Sequence, residues 1–176
     1  MRIWHFRSIR LLNGTPDCAY PILLSHRRTI CASKPNGAGA DIVFGQPDFN
    51  HNASASTLSG MHNPHGVVVS SSGALFVADF LNDRVLRFDN VNFKARGERR
   101  RVLGHGGVTS QSSMATPQGV AVDNSGRLYV ADDQNNRILI FNNAESKPNG
   151  ANADIVLGQA DFFTGTTNTG GIQLPR

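Results

Sequence analysis

Two acid–base pairs recur along the chain: Asp79 with Arg84, and Asp132 with Arg137. A carboxylate and a guanidinium a few residues apart could bind an ion or move a proton. A reacting group, however, is needed once per molecule. The same pair in two places reads as architecture, with the carboxylate bonded to turn N–H groups and the arginine bridging neighbouring loops. The chain has 6 histidines, at positions 5, 26, 51, 62, 65 and 105. His62-Asn63-Pro64-His65 sets two imidazoles close together. Pro64 argues for a loop there, and the spacing is not that of a helical zinc motif. Ala115-Thr116-Pro117-Gln118 does not repeat the pair. His51 and His105 each follow an apolar run, so a loop-borne site is conceivable. The run Lys94-Ala95-Arg96-Gly97-Glu98-Arg99-Arg100-Arg101 could meet phosphates. No aromatic residue is interleaved with it for bases to stack on, which argues against nucleic acid. The chain has no G-x-S-x-G, P-loop, dinucleotide or Cys/His catalytic signature. No residue is singled out as catalytic, metal-binding or cofactor-binding, and no cofactor is expected.

The elements that carry these residues follow from a repeat. Pro64, Gly66, Arg84 and Phe88 return as Pro117, Gly119, Arg137 and Phe141, each displaced by 53 residues. A fixed period of this size is the signature of a repeat architecture. Within the first unit the apolar runs are Gly66–Val69, Leu75–Ala78, Val85–Phe88 and Arg101–Gly104. They are short, rich in β-branched and aromatic residues, and bounded by Gly, Ser, Asn or Asp, so they predict strands. Ser71-Ser72-Gly73 and Asn124-Ser125-Gly126 are turn chemistry. Outer-strand partners of Arg101–Gly104 stand at Asp41–Gly45 and Asp154–Gly158. The unit is thus a four-stranded meander. Runs such as Val67-Val68-Val69 and Ile138-Leu139-Ile140 do not alternate with polar residues. Such sheets need cover on both faces, and stacking four-stranded sheets about an axis gives a β-propeller.

The string from Pro117 through Gly119-Val120-Ala121-Val122-Asp123, Ser125-Gly126, Leu128-Tyr129-Val130-Ala131-Asp132 and Asn135-Asn136-Arg137-Ile138 to Phe141 resembles the NHL repeat. The copy at 63–90 is looser: Ser70 replaces Asp123, and Phe80-Leu81-Asn82-Asp83 replaces Asp133-Gln134-Asn135-Asn136. The resemblance covers residues 33–176 and implies an all-β, partial propeller of four-stranded antiparallel blades. The units lie at about 62–104 and 115–158, about two to two and a half blades of a family that usually has six. The compact style of the repeats looks bacterial.

Residues 1–32 stand apart. They contain Cys18, Cys31 and Trp4, and Arg2, Arg7, Arg10, Arg27 and Arg28 against Asp17 account for the whole net charge of +4. Their apolar stretch is broken by Asn13–Asp17 and is too short for a leader or a membrane span. This segment is a basic tail or the product of a misread start. Ser33–Ala38 matches Ser146–Ala151, yet no strand signal precedes Ser33. Pro175 aligns with Pro64 and Pro117. The chain therefore reads as a fragment, and two blades with open apolar faces are expected to self-associate.

Gly45-Gln46-Pro47-Asp48-Phe49 recurs as Gly158-Gln159-Ala160-Asp161-Phe162. Long polar loops follow at Asn50–Gly60, Thr109–Ala115 and Thr164–Gly171. Insertions at one place per repeat fall on one face, often the binding face. NHL propellers commonly present surfaces to proteins, so the resemblance implies an interaction or ligand-binding scaffold, with protein or a small ligand on the long-loop face. Two alternatives stay open. Peptidyl-hydroxyglycine lyases and sugar lactonases resemble this fold and use an axial metal, and some NHL propellers bind RNA. The sequence does not fix a compartment.

Overall fold

A computed structural model of the chain describes residues 36–40, 42–89 and 100–167. The chain divides into two compact units, Met1–Asp41 and Ile42–Arg176. Residues 36–40 of the first are exposed. The tail at 1–32, most of the basic run (residues 94–99) and the segment holding Pro175 lie outside the described residues.

The second unit contains two sheets. Strands β1 (Pro64–Val69), β2 (Leu75–Asp79), β3 (Arg84–Phe88) and β4 (Arg100–Leu103) form one. Strands β5 (Pro117–Val122), β6 (Leu128–Asp132), β7 (Arg137–Phe141) and β8 (Ile155–Leu157) form the other. Both are antiparallel meanders with neighbours in chain order. These are two blades of a β-propeller whose ring is not closed. The match extends to irregularities: each inner strand has a register shift, between Pro64 and Val67 in β1 and between Pro117 and Val120 in β5. The inner strands begin two residues earlier than the apolar runs suggest, because Pro64 and Pro117 face Asp79 and Asp132 across that bulge.

The core lies between the blades. Phe76, Val85 and Leu103 of the first meet Leu128, Val130, Leu139, Phe141 and Val156 of the second, with Met114 sealed among them. A close approach needs Gly66: a Cβ there would stand 2.5 Å from the Gln118 carbonyl oxygen and 2.9 Å from the Val120 nitrogen. A smaller cluster covers the first blade's other face, where Met61 and Phe44 pack on Leu75, Val77, Leu86 and Phe88. The Phe44 and Phe88 rings lie 4.8 Å apart.

At the rim, residues 149–151 lie along the outer edge of β4. Gly150 N–H donates to the Val102 carbonyl, Val102 N–H donates to Asn149 Oδ1, and Leu103 pairs with Ala151 in parallel. This clasp protects an edge that would otherwise be open.

The expected outer strand at Asp41–Gly45 is a correction. Asp41 is outside the described residues, and residues 42–45 are not a strand. A strand exists through its ladder, and among the described residues nothing pairs with this segment. Phe44 keeps only the packing half of the role. The expected strand at Asp154–Gly158 contracts to Ile155–Leu157. Asp154 instead accepts the Asn142 N–H at 2.7 Å and pairs with Lys147 at 2.8 Å. Gly158 turns the chain away at φ 91°.

Candidate functional site

The strand register puts the β2–β3 connections and the long β4-to-β5 type connections at one end of both sheets. The repeated acid–base pairs sit beneath them. Asp79 caps the end of β2: Oδ1 accepts the His62 N–H at 2.7 Å, and Oδ2 accepts Asn82 Nδ2 and Arg84 Nε, both at 2.8 Å. Asp132 repeats this, accepting the Ala115 N–H at 2.7 Å, Asn135 Nδ2 at 3.0 Å and Arg137 Nε at 2.8 Å. Neither Asp132 nor Arg137 has any exposed side-chain surface.

The remaining guanidinium N–H groups reach into the loops. Arg84 donates to the carbonyls of Ser56, Thr57 and Gly60. Arg137 donates to those of Ser110, Ser113 and Phe162. A planar fork can serve several acceptors at fixed angles, which a lysine cannot do. Each arginine therefore fastens the long loop that precedes its blade, and Arg137 also holds the loop that follows. The pairs do structural work, as their repetition suggested, but that work is to build the long-loop end.

Other loop residues reinforce it. Gln159 is buried and its amide donates to the carbonyls of Asn135, Asn136 and Thr166. Asp161 accepts the N–H groups of Phe163 and Thr164, and those bonds hold its pKa below the usual carboxylate value. Asp48 is lowered chiefly by the His51 ring at 2.7 Å. A cleft of about 460 Å³ opens in the first long loop, lined by Gln46, Pro47, His51, Ala55, Thr57 and Gly60 among others.

The described histidines do not converge. His51 pairs with Asp48, His65 stacks on Phe80 at 4.2 Å, and His105 bonds to Ser112 and the Gly106 carbonyl. Among the described residues no group of three or more His, Cys, Asp or Glu side chains is placed to hold a metal ion. At the opposite end of the sheets Asp123 is held down to about 2. The Arg127 N–H is the largest cause, followed among lowering contacts by the Arg127 guanidinium and the Tyr129 hydroxyl.

This pattern of paired strands, capped by an aspartate and an arginine at the same turn, falls within a known repeat. Residues 114–141 match the NHL repeat. The matched stretch runs from Met114 to the end of β7 and so takes in Asp132, Asn135 and Arg137. The first blade, outside the matched stretch, repeats the second blade's contacts through Asp79, Asn82 and Arg84. No curated protein matches the chain. Among the described residues no helix is long and apolar enough to cross a membrane.

Sequence reasoning missed Arg87. It is almost fully buried, with 1% exposure. It pairs with Asp89 at 2.7 Å and donates to the Ala144 carbonyl at 2.6 Å across the blade junction. Its counterpart in the second blade is Ile140. The only signal was that break in the repeat.

Proposed function

We propose that the chain is a non-catalytic interaction module that presents its long-loop end to a protein partner and that also associates with itself. One observation carries the reading. Two buried Asp–Arg pairs, one per blade, spend six guanidinium-to-carbonyl contacts on holding loops in place. Loops held in one arrangement lose less conformational freedom on binding, so an ordered loop surface binds with less entropic cost than a floppy one. The Ser, Thr, Asn and Gly content of these loops suits adaptable hydrogen bonding to a peptide backbone. Repeat-bearing residues 33–176 are taken as the module, apart from residues 1–32.

The test is to pan a displayed peptide library against the purified chain and map the selected peptides by photo-cross-linking from Ser54 and Ser112 at the long-loop end, and from Ser71 and Asn124 at the other. Labelling from Ser54 and Ser112 supports the reading. Labelling only from Ser71 and Asn124, or a selection that enriches nothing, refutes it.

A further inference from the structure

The two blades meet through unlike faces, and each face has an equivalent that is at least partly uncovered. On the first blade the joint uses Phe76, Ala78, Val85 and Leu103, all with no exposed surface. A displacement of 53 or 54 residues converts these to Tyr129, Ala131, Ile138 and Leu157, which occupy the same register on the second blade. None of the four is fully buried, and Ile138 is 40% exposed. Among the described residues this face has no blade against it. The buried Arg87 of the internal joint is replaced here by Ile140, which is buried, and Phe76 is replaced by Tyr129, whose hydroxyl donates to Asp123 at the end of the face.

The complementary face is open along its inner strand only. In the internal joint the inner strand β5 contributes Val120 and Val122, both packed on the core. Their counterparts on β1 are Val67 and Val69, which are 62% and 52% exposed. Phe44 and Met61 cover the other strands of that face and leave β1 bare. A third observation concerns backbone approach. Gly66 admits the backbone of β5, whereas a Cβ on its counterpart Gly119 would meet only Ala131, at 3.6 Å. The space that admits a neighbouring inner strand is built but open.

We infer that the open face of β5–β8 docks a second copy of this chain, which enters with the Val67 and Val69 face of its β1. This rests on the self-association proposed above and gives it a geometry. The contact is heterologous: the two surfaces differ, so copies join head to tail and either run on or close into a ring. The template is the inner-strand part of the internal joint, β1 against β5, and the docking is confined to the inner strands because Phe44 and Met61 already cover Leu75, Val77, Leu86 and Phe88.

The test uses the full chain in sedimentation velocity over a concentration series. Ala121→Arg blocks the docking face, and Val67→Arg blocks the entering face. Both positions are exposed, and circular dichroism checks that both variants fold. Each variant alone should sediment as a single chain, because its one intact surface has no complement. An equimolar mixture should give dimers and nothing larger. Gly119→Leu, which fills the channel for the inner strand, should behave as Ala121→Arg. Two results overturn the inference. A wild-type chain that stays single at the highest concentration removes self-association altogether. A wild-type chain that associates while the mixture stays single keeps self-association and removes the head-to-tail geometry.

Discussion

Arg137→Met tests whether the long-loop end is held as described. The substitution keeps most of the aliphatic stem and removes the fork. It leaves the buried Asp132 with only Ala115 N–H and Asn135 Nδ2 as donors, strands the carbonyls of Ser113 and Phe162, and leaves that of Ser110 with only the long contact to the Ser113 hydroxyl. Removing one member of a buried ion pair costs about 3–5 kcal/mol. That is a large share of a domain's stability of roughly 5–15 kcal/mol. At roughly 2–4 °C per kcal/mol for a chain of this size, the melting temperature should fall by about 6–20 °C. The assay is thermal denaturation followed by circular dichroism, in the Ala121→Arg background so that association does not contribute. Asp132→Leu combined with Arg137→Met removes the stranded charge and should recover part of the loss. The rest should persist, because the three loop carbonyls have lost the guanidinium that served them. Limited proteolysis should then cut at Ser110–Ser113 in both variants. A single variant that melts with the parent refutes the buried pair's role. A double variant that recovers fully, with the loop still resistant, refutes the claim that the guanidinium holds the loop.

Gly66→Ala drives a Cβ into the backbone of Gln118 and should destabilise the chain by about 1–3 kcal/mol in urea denaturation. Gly119→Ala meets no such obstacle and should leave stability unchanged or slightly raised. Thr116 combines a β-branched side chain at φ 49° with a buried hydroxyl that has no partner. Thr116→Asn, which copies Asn63 of the first blade, should stabilise by about 1 kcal/mol in the same measurement. Asp123 should titrate near 2 by NMR, and a midpoint near 3.8 would refute its hydrogen bonds. Its folded-state pKa is depressed, so its contribution is complete above about 3.8 and is lost as pH falls towards 2. Asp123→Asn should therefore flatten stability against pH in that window.

What was legible in the sequence was whatever the two units share. Strand number, strand order and the meaning of Asp79, Arg84, Asp132 and Arg137 all follow from seeing the same residues twice. Features carried by one unit alone were hidden. Arg87 breaks the repeat but carries no sign in the sequence of its burial, and only the packing of β3 against the Ala144–Ser146 turn shows that it is interior. The Asp41–Gly45 run has a strand's composition, but a strand also needs a neighbour, and composition does not carry that information. The docking of Asn149–Ala151 on β4 was equally hidden, since Asn, Gly and Ala give no apolar period to follow.

That rim clasp has a dynamic consequence. The chain secures β4 from outside with bonds at Asn149 and Gly150, both exposed, whereas the inner half of the joint is apolar and interlocked at Gly66. Exposed hydrogen bonds open at lower free energy than buried packing. Separation of the blades therefore starts at the circumference and works inward, like a clam opening from its lip towards its hinge. The Val102 amide, whose acceptor is Asn149, should exchange its hydrogen well before amides in the middle of β6. A rim that breathes while the axis stays shut would let a neighbouring outer strand be traded without unfolding either sheet.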